Sequence, residues 1–110
     1  AMLAKGRLLG VQFDALLRDG HYVDICRRGN AQAQRIKRAF VAKGVPMLTD
    51  TVTNQIFPVL PNALFNALSQ QFSFSYWEKT DDAHTAVRFC AGAMTPDENV
   101  DALIAAIDLL

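Results

Sequence analysis

The clearest alternation of apolar and polar side chains lies near the C-terminal end of the chain. Thr85–Ala91 reads TAVRFCA, and this pattern puts Val87, Phe89 and Ala91 on one face of a strand. The other face carries a single cation, Arg88, between small neighbours. A mid-strand arginine usually lies on a solvated sheet face, but an arginine held above a cleft can pair with a carboxylate through two hydrogen bonds. The pattern leaves both interpretations open.

A closing helix is predicted directly after this strand. Thr95 is a good N-cap, Pro96 suits the first helical position, and Glu98 completes a capping box three residues after the cap. The apolar residues that follow fall at i, i+3, i+4 and i+7, and they are Val100, Leu103, Ile104 and Ile107. Such a stripe predicts a helix that docks on the core.

The rest of the pattern predicts two helices, followed by the strands of a sheet with a third helix between them. The predicted helices are 2–18, 21–43 and 63–71, and the predicted strands are 47–49, 51–59 and 72–77, followed by a polar turn at 78–84. Gly20 should end the first helix, and Gly29-Asn30 is a point where the second can bend or break. Pro58 cannot donate to a ladder, so its strand should be an edge strand or should end there.

This order, α-α-β-α-β-β-α, predicts an α+β fold. The predicted fold contains a small, mostly antiparallel sheet of about three strands, and helices cover one face of this sheet. The length of 110 residues predicts one domain, in which 1–44 form a helical hairpin that enters it and 45–110 form the sheet and the closing helix. The sequence begins inside a helical pattern, and 51% of its residues are apolar. Both features predict a C-terminal domain with a missing neighbour.

Composition narrows the classes of partner. Lys plus Arg and Asp plus Glu both number 11, so the net charge is zero, and we expect neither nucleic acid nor a membrane surface as a partner. No apolar run is long enough to cross a bilayer. Cys26 and Cys90 lie far apart without a CxxC motif, which predicts buried thiols in a reduced, cytoplasmic setting and leaves a disulfide between them open.

The residues themselves predict no catalytic or metal-binding constellation. His21 and His84 are too far apart for a metal pair, and no other ligand lies at a suitable spacing. Ser73 or Ser75 could meet His84 across a hairpin, but chance neighbours of this kind are common. Asp81-Asp82, next to that histidine, fits a turn better than an acid/base pair.

Four segments resemble a known family. Ala4–Phe13, Thr53–Asn62, Phe72–Lys79 and His84–Cys90 together are similar to the C-terminal domain of threonine aldolase-type β-eliminating lyases. These lyases are fold-type I pyridoxal-phosphate enzymes, and the resemblance covers nearly the whole chain. It implies the small domain of an enzyme that cleaves β-hydroxy-α-amino acids to glycine and an aldehyde.

The resemblance also implies where the chemistry lies. The Schiff-base lysine and most contacts to pyridoxal phosphate are expected upstream, in a large domain that is absent here, so this chain alone should not catalyse. None of its lysines lies in the family's lysine motif, and they are Lys5, Lys37, Lys43 and Lys79. Arg88 matches the strand position where related enzymes bind the substrate carboxylate. The implied partners are the large domain, a small amino acid, and further subunits of a homodimer or homotetramer.

One segment departs from the family pattern. After Arg-Phe-Cys the group carries Thr-Ser-Trp-Ala-Thr, whereas Ala91–Thr95 reads AGAMT here. Smaller residues imply a wider floor near the carboxylate site, and they leave open the substrate and the choice between aldol cleavage and β-elimination. An alternative from another class is a free-standing, ferredoxin-like regulatory or ligand-binding domain with Arg88 on an ordinary sheet face.

Overall fold

A computed structural model of the chain describes residues 4–110, so residues 2 and 3 of the first predicted helix lie outside the described part. Within it the helices are α1 (Gly6–Leu17), α2 (His21–Ala42), α3 (Asn62–Ser69) and α4 (Asp97–Leu109). The strands are β1 (Gln55–Ile56), β2 (Val59–Pro61), β3 (Ser75–Lys79) and β4 (His84–Cys90). This order confirms the predicted α+β fold with a small antiparallel sheet.

The central strand of the sheet is β4. Both β1 and β2 pair antiparallel with one edge of β4, and β3 pairs antiparallel with the other edge. Because β1 and β2 follow one another along the same edge, they take the place of a single strand. Among the described strands, β4 alone has neighbours on both sides, and Arg88 lies on it.

Pro58 divides this edge into two strands without changing its register. Ile56 lies opposite Phe89, and Val59 lies opposite Ala86, so both strands keep the same alignment. Pro58 has no N–H to donate, although its carbonyl accepts a hydrogen bond from the Val87 N–H at 3.1 Å. The predicted strand 51–59 is thus wrong in its bounds, while a bridge between Met47 and Pro58 supports the short strand predicted at 47–49.

The strand predicted at 72–77 is displaced towards the C-terminus. Glu78 and Lys79, predicted as part of a turn, belong to β3 and pair with β4. Phe74 precedes β3, and its ring lies 4.9 Å from that of Phe89. Apolar packing therefore holds the phenylalanines of this segment, and backbone pairing begins only after them.

The core lies between the inner face of the sheet and the helices. Its largest fully buried side chains are Phe40, Ile56, Pro58, Leu60, Leu68, Val87, Val100 and Ile107. The predicted inner face of β4 is buried, and so is most of the predicted stripe of α4, since Leu103 is also buried and Ile104 is partly buried.

The predicted capping box at the start of α4 is wrong. The helix begins at Asp97, and no side chain caps it. The Thr95 hydroxyl instead accepts a hydrogen bond from the Gly92 N–H at 2.8 Å, and the Thr95 N–H donates to the Gly92 carbonyl at 3.1 Å. The hydroxyl is used to close the turn between β4 and α4, so it does not reach the helix.

Helix α2 runs without a break through Gly29. Gly29 is buried, and a Cβ atom placed there would lie 3.4 Å from the backbone of Gly92. Close approach to the turn after β4, and not a bend, therefore accounts for this glycine. Two arginines of α2 also connect the helix to this part of the chain. Arg28 Nε donates to the Ala93 carbonyl at 2.7 Å, and Arg35 pairs with Asp101 of α4.

The N-terminal part of the helical region, residues 6–28, is here called the arm. The Arg18–Gly20 turn joins its two helices, and Asp19 and Gly20 both adopt positive φ angles there. No side chain of α1 is buried, and Phe13 is 61% exposed. The other exposed large apolar residues of the arm are Leu8, Leu9, Val11, Leu17, Tyr22, Val23 and Ile25. None of the helices in residues 4–110 is both long and apolar enough to cross a membrane.

Candidate functional site

The outer face of the sheet presents Arg88 between two cross-strand neighbours. Directly opposite residues of antiparallel strands share a face. Ser75 on β3 lies opposite Arg88 on one side. On the other side, the common register of β1 and β2 puts Phe57 opposite the same arginine. The site is therefore a row of three residues across the middle of the sheet.

Arg88 has hydrogen-bond donors that the described residues leave without an acceptor. Its Nη2 donates to Ser75 Oγ at 3.4 Å, a long hydrogen bond, and its buried Nε has no partner. Within residues 4–110 it forms no ion pair, whereas four other arginines pair with aspartates, namely Arg18, Arg27, Arg28 and Arg35. Buried donors are normally paired. A carboxylate is the acceptor that a guanidinium fork fits best, so this geometry favours the binding interpretation.

Two aromatic residues of this face were not predicted as site residues. The rings of Phe57 and Trp77 lie 4.9 Å apart in an edge-to-face arrangement. The Arg88 guanidinium carbon lies 6.0 Å from the centre of the Trp77 ring. The alternation in 72–77 (FSFSYW) predicts that Ser75 and Trp77 share a face, but no local pattern determines the register that places Phe57 beside them.

The cysteines differ from their prediction. Cys26 and Cys90 are both free and exposed, and no disulfide joins them. Cys26 lies on the arm, and Cys90 lies at the end of β4 on the outer face. The Asn54 amide lies 3.6 Å from Cys90 Sγ and donates to the Ala91 carbonyl at 2.9 Å. Both thiols are exposed because no described element covers these two surfaces. The cytoplasmic location stays a prediction.

The possible serine–histidine pair does not form. Ser75 lies opposite Arg88, whereas His84 lies at the other end of β4, opposite Pro61. Ser73 precedes β3 and lines an open cavity of about 410 Å³ beside α4. Among residues 4–110 there is no cluster of three or more metal-ligating side chains.

Asp81 and His84 form a local pair in the β3–β4 turn. His84 Nδ1 lies 2.9 Å from one Asp81 carboxylate oxygen, and the Ala83 N–H donates to the same oxygen at 2.7 Å. The His84 side chain, followed by that N–H, lowers the pKa of Asp81 below its ordinary value. Both side chains are exposed, so this pair closes a turn, as the sequence predicted.

Asp81→Asn should therefore destabilise the protein slightly, and only where the carboxylate is ionised. A lowered pKa in the folded state adds stability above the unfolded-state pKa of about 4, and that stability is lost as the pH falls through the folded value. Thermal unfolding of wild type and variant at pH 6 should show a small difference that shrinks and disappears as the pH is lowered below the ordinary pKa of an aspartate. A difference that persists at the lower pH would contradict this assignment.

The lysines do not complete a cofactor site within this chain. Lys37 pairs with Asp50, and Lys79 pairs with Asp82. Lys5 precedes α1 and Lys43 follows α2, so no lysine occupies the strand positions that flank Arg88.

The comparisons with known proteins give a match among solved structures. No family model and no curated protein matches the chain. Among solved structures, the threonine aldolase of Leishmania major aligns with 99% of this chain, with a TM-score of 0.91 and 27% sequence identity. The aligned part is 32% of that protein, so this chain spans about a third of its length. The match confirms the resemblance predicted from the sequence, to the C-terminal domain of threonine aldolase-type lyases.

Proposed function

We propose that this chain is the small, C-terminal domain of a pyridoxal-phosphate lyase of the threonine aldolase type. The observation that carries the proposal is the alignment of 99% of the chain with a threonine aldolase. The proposed substrate is a β-hydroxy-α-amino acid, which is cleaved to glycine and an aldehyde. The domain binds the substrate carboxylate and closes over the cleft between the two domains.

Arg88 is the proposed carboxylate ligand. It lies on the central strand, which is paired on both edges, so its backbone is held firmly. Its terminal nitrogens lie at a fixed spacing in the planar guanidinium, and a carboxylate accepts two hydrogen bonds from them side by side. Holding the carboxylate in this way fixes the position of the adjacent carbon atoms.

A large upstream domain is the proposed partner of the arm. The threonine aldolase of Leishmania major is about three times as long as this chain, and its remaining length can form such a domain. The arm exposes a run of apolar residues that includes Leu9 and Phe13. Burying one such side chain is worth roughly 1.5–3 kcal/mol, which favours docking over continued exposure to water. Further copies in a homodimer or homotetramer are a second way to cover this surface.

Pyridoxal phosphate, when bound, withdraws electrons from the α-carbon of an amino acid. In this proposal the large domain holds it together with the Schiff-base lysine, and the present chain orients the substrate. The turn after β4 carries small residues, and Met94 is 91% exposed there. This turn leaves room for different substituents at the β-carbon, so β-elimination within the same class is the nearest alternative reaction.

The experiment that tests the function is a visible absorption spectrum. The full-length parent protein, purified with pyridoxal phosphate, should show a band of bound cofactor that shifts on addition of glycine or threonine. A protein that binds no cofactor would overturn the proposal. A free-standing, ferredoxin-like ligand-binding domain would then be the better description.

A further inference from the structure

We propose that Trp77 is a positioning residue that holds the Arg88 guanidinium ready for a carboxylate. This inference rests on the proposed function, because it concerns how Arg88 binds substrate. It is carried by three observations: a bulge in β3, an aromatic contact across β4, and the surroundings of the guanidinium.

The bulge makes Trp77 an extra residue in β3. Tyr76 lies opposite Val87, and Glu78 lies opposite Ala86, so Trp77 has no partner of its own on β4. A bulge of this kind bends the strand and changes the direction of a side chain. The ring of Trp77 is therefore free to leave its own strand and turn towards β4.

The contact with Phe57 shows where the ring goes. Trp77 and Phe57 belong to segments on opposite edges of β4, yet their ring centres are only 4.9 Å apart. The two rings must therefore meet above β4, on its outer face. Ala86 belongs to that face by alternation, and it is completely buried, which agrees with a cover of this kind. A larger side chain at position 86 would occupy the space that the rings share.

The same ring limits the freedom of Arg88. The guanidinium carbon lies 6.0 Å from the Trp77 ring centre, at the outer limit of a cation–π contact. Ser75, which also lies on β3, accepts a long hydrogen bond of 3.4 Å from Arg88 Nη2. A free arginine side chain has several rotatable bonds, and its ordering on binding weakens the affinity. Contacts that order it beforehand reduce this loss.

The test uses the full-length enzyme, four test variants and one control variant. The test variants are Trp77→Leu, Trp77→Phe, Arg88→Ala and the double variant Trp77→Leu/Arg88→Ala. Trp77→Leu should raise KM for the amino acid roughly 3- to 10-fold and leave kcat within about 2-fold. Trp77→Phe keeps an aromatic face and should recover most of the loss. The neighbouring Tyr76→Leu is the matched control, because Tyr76 is 63% exposed and faces away from Arg88.

The double variant separates positioning from a structural role. If Trp77 acts through Arg88, Trp77→Leu should raise KM no further once Arg88 is absent. Additive effects of the two substitutions on KM would overturn this inference alone. A KM that rises in Arg88→Ala but stays unchanged in Trp77→Leu would do the same. A KM that Arg88→Ala itself leaves unchanged would overturn the proposed role of Arg88, and this inference with it.

Discussion

Replacing Arg88 with alanine in the full-length enzyme is expected to lower kcat/KM for a β-hydroxy-α-amino acid by roughly 100-fold. Each hydrogen bond to a charged group is worth about 1.5–3 kcal/mol, and about 1.4 kcal/mol corresponds to a tenfold change. Most of the effect should appear in KM, since the carboxylate is bound both before and during the reaction. Steady-state kinetics with the purified variant measure both constants.

Two further variants make this result specific. Arg88→Lys keeps the charge but loses the planar fork, so it should recover only part of the activity. Arg38→Ala removes an exposed arginine of α2 and should leave both constants unchanged. If Arg88→Ala behaves like Arg38→Ala, then Arg88 lies on an ordinary solvated sheet face and another group binds the carboxylate.

The largest expected effect on stability comes from Phe40→Ala. Phe40 is fully buried, and its ring lies 5.5 Å from that of Phe89 on β4. Truncating a buried phenylalanine typically lowers the free energy of unfolding by about 3–5 kcal/mol. Hydrogen exchange of the β4 amides in the full-length protein measures this loss for the domain that contains the residue.

The adjacent residue provides the control for this experiment. Val41 lies on the same helix but is exposed, so Val41→Ala should leave the exchange of β4 almost unchanged. Equal protection in the two variants would mean that Phe40 does not belong to the core. Protection that falls throughout the protein would mean that the domains unfold together.

The sequence predicted those parts of the fold in which a local pattern and tertiary packing agree. The alternation around Val87 and Phe89 and the stripe of α4 both correspond to buried faces. Predictions failed where a contact from elsewhere in the chain decided the outcome. The Thr95 hydroxyl bonds to Gly92 and not to its helix, and the bounds of β1 and β2 follow from pairing with β4. No window of neighbouring residues contains that information.

The candidate site was likewise predicted only in part. Arg88 was proposed from the alternation of one strand, where it is the only arginine or lysine on its face of β4, and from a family resemblance. The aromatic residues around it were missed, since their meeting depends on a bulge and on the register of two edges. The exposure of Cys26 was also missed, because an apolar context in sequence does not show whether another element covers it.

The contact between Gly29 and Gly92 affects how this domain can diversify. A methyl group at position 29 would just touch the turn at 3.4 Å, so larger side chains there would push the turn away from α2. A Cβ atom at Gly92, by contrast, would meet nothing within 4 Å. The size of the residue at position 29 therefore limits how closely α2 and the turn approach, whereas the size of the residue at position 92 does not. The turn can accept new side chains through mutation while its position stays fixed, which makes it, in the proposed lyase, a favourable place to vary substrate preference in a mutant library.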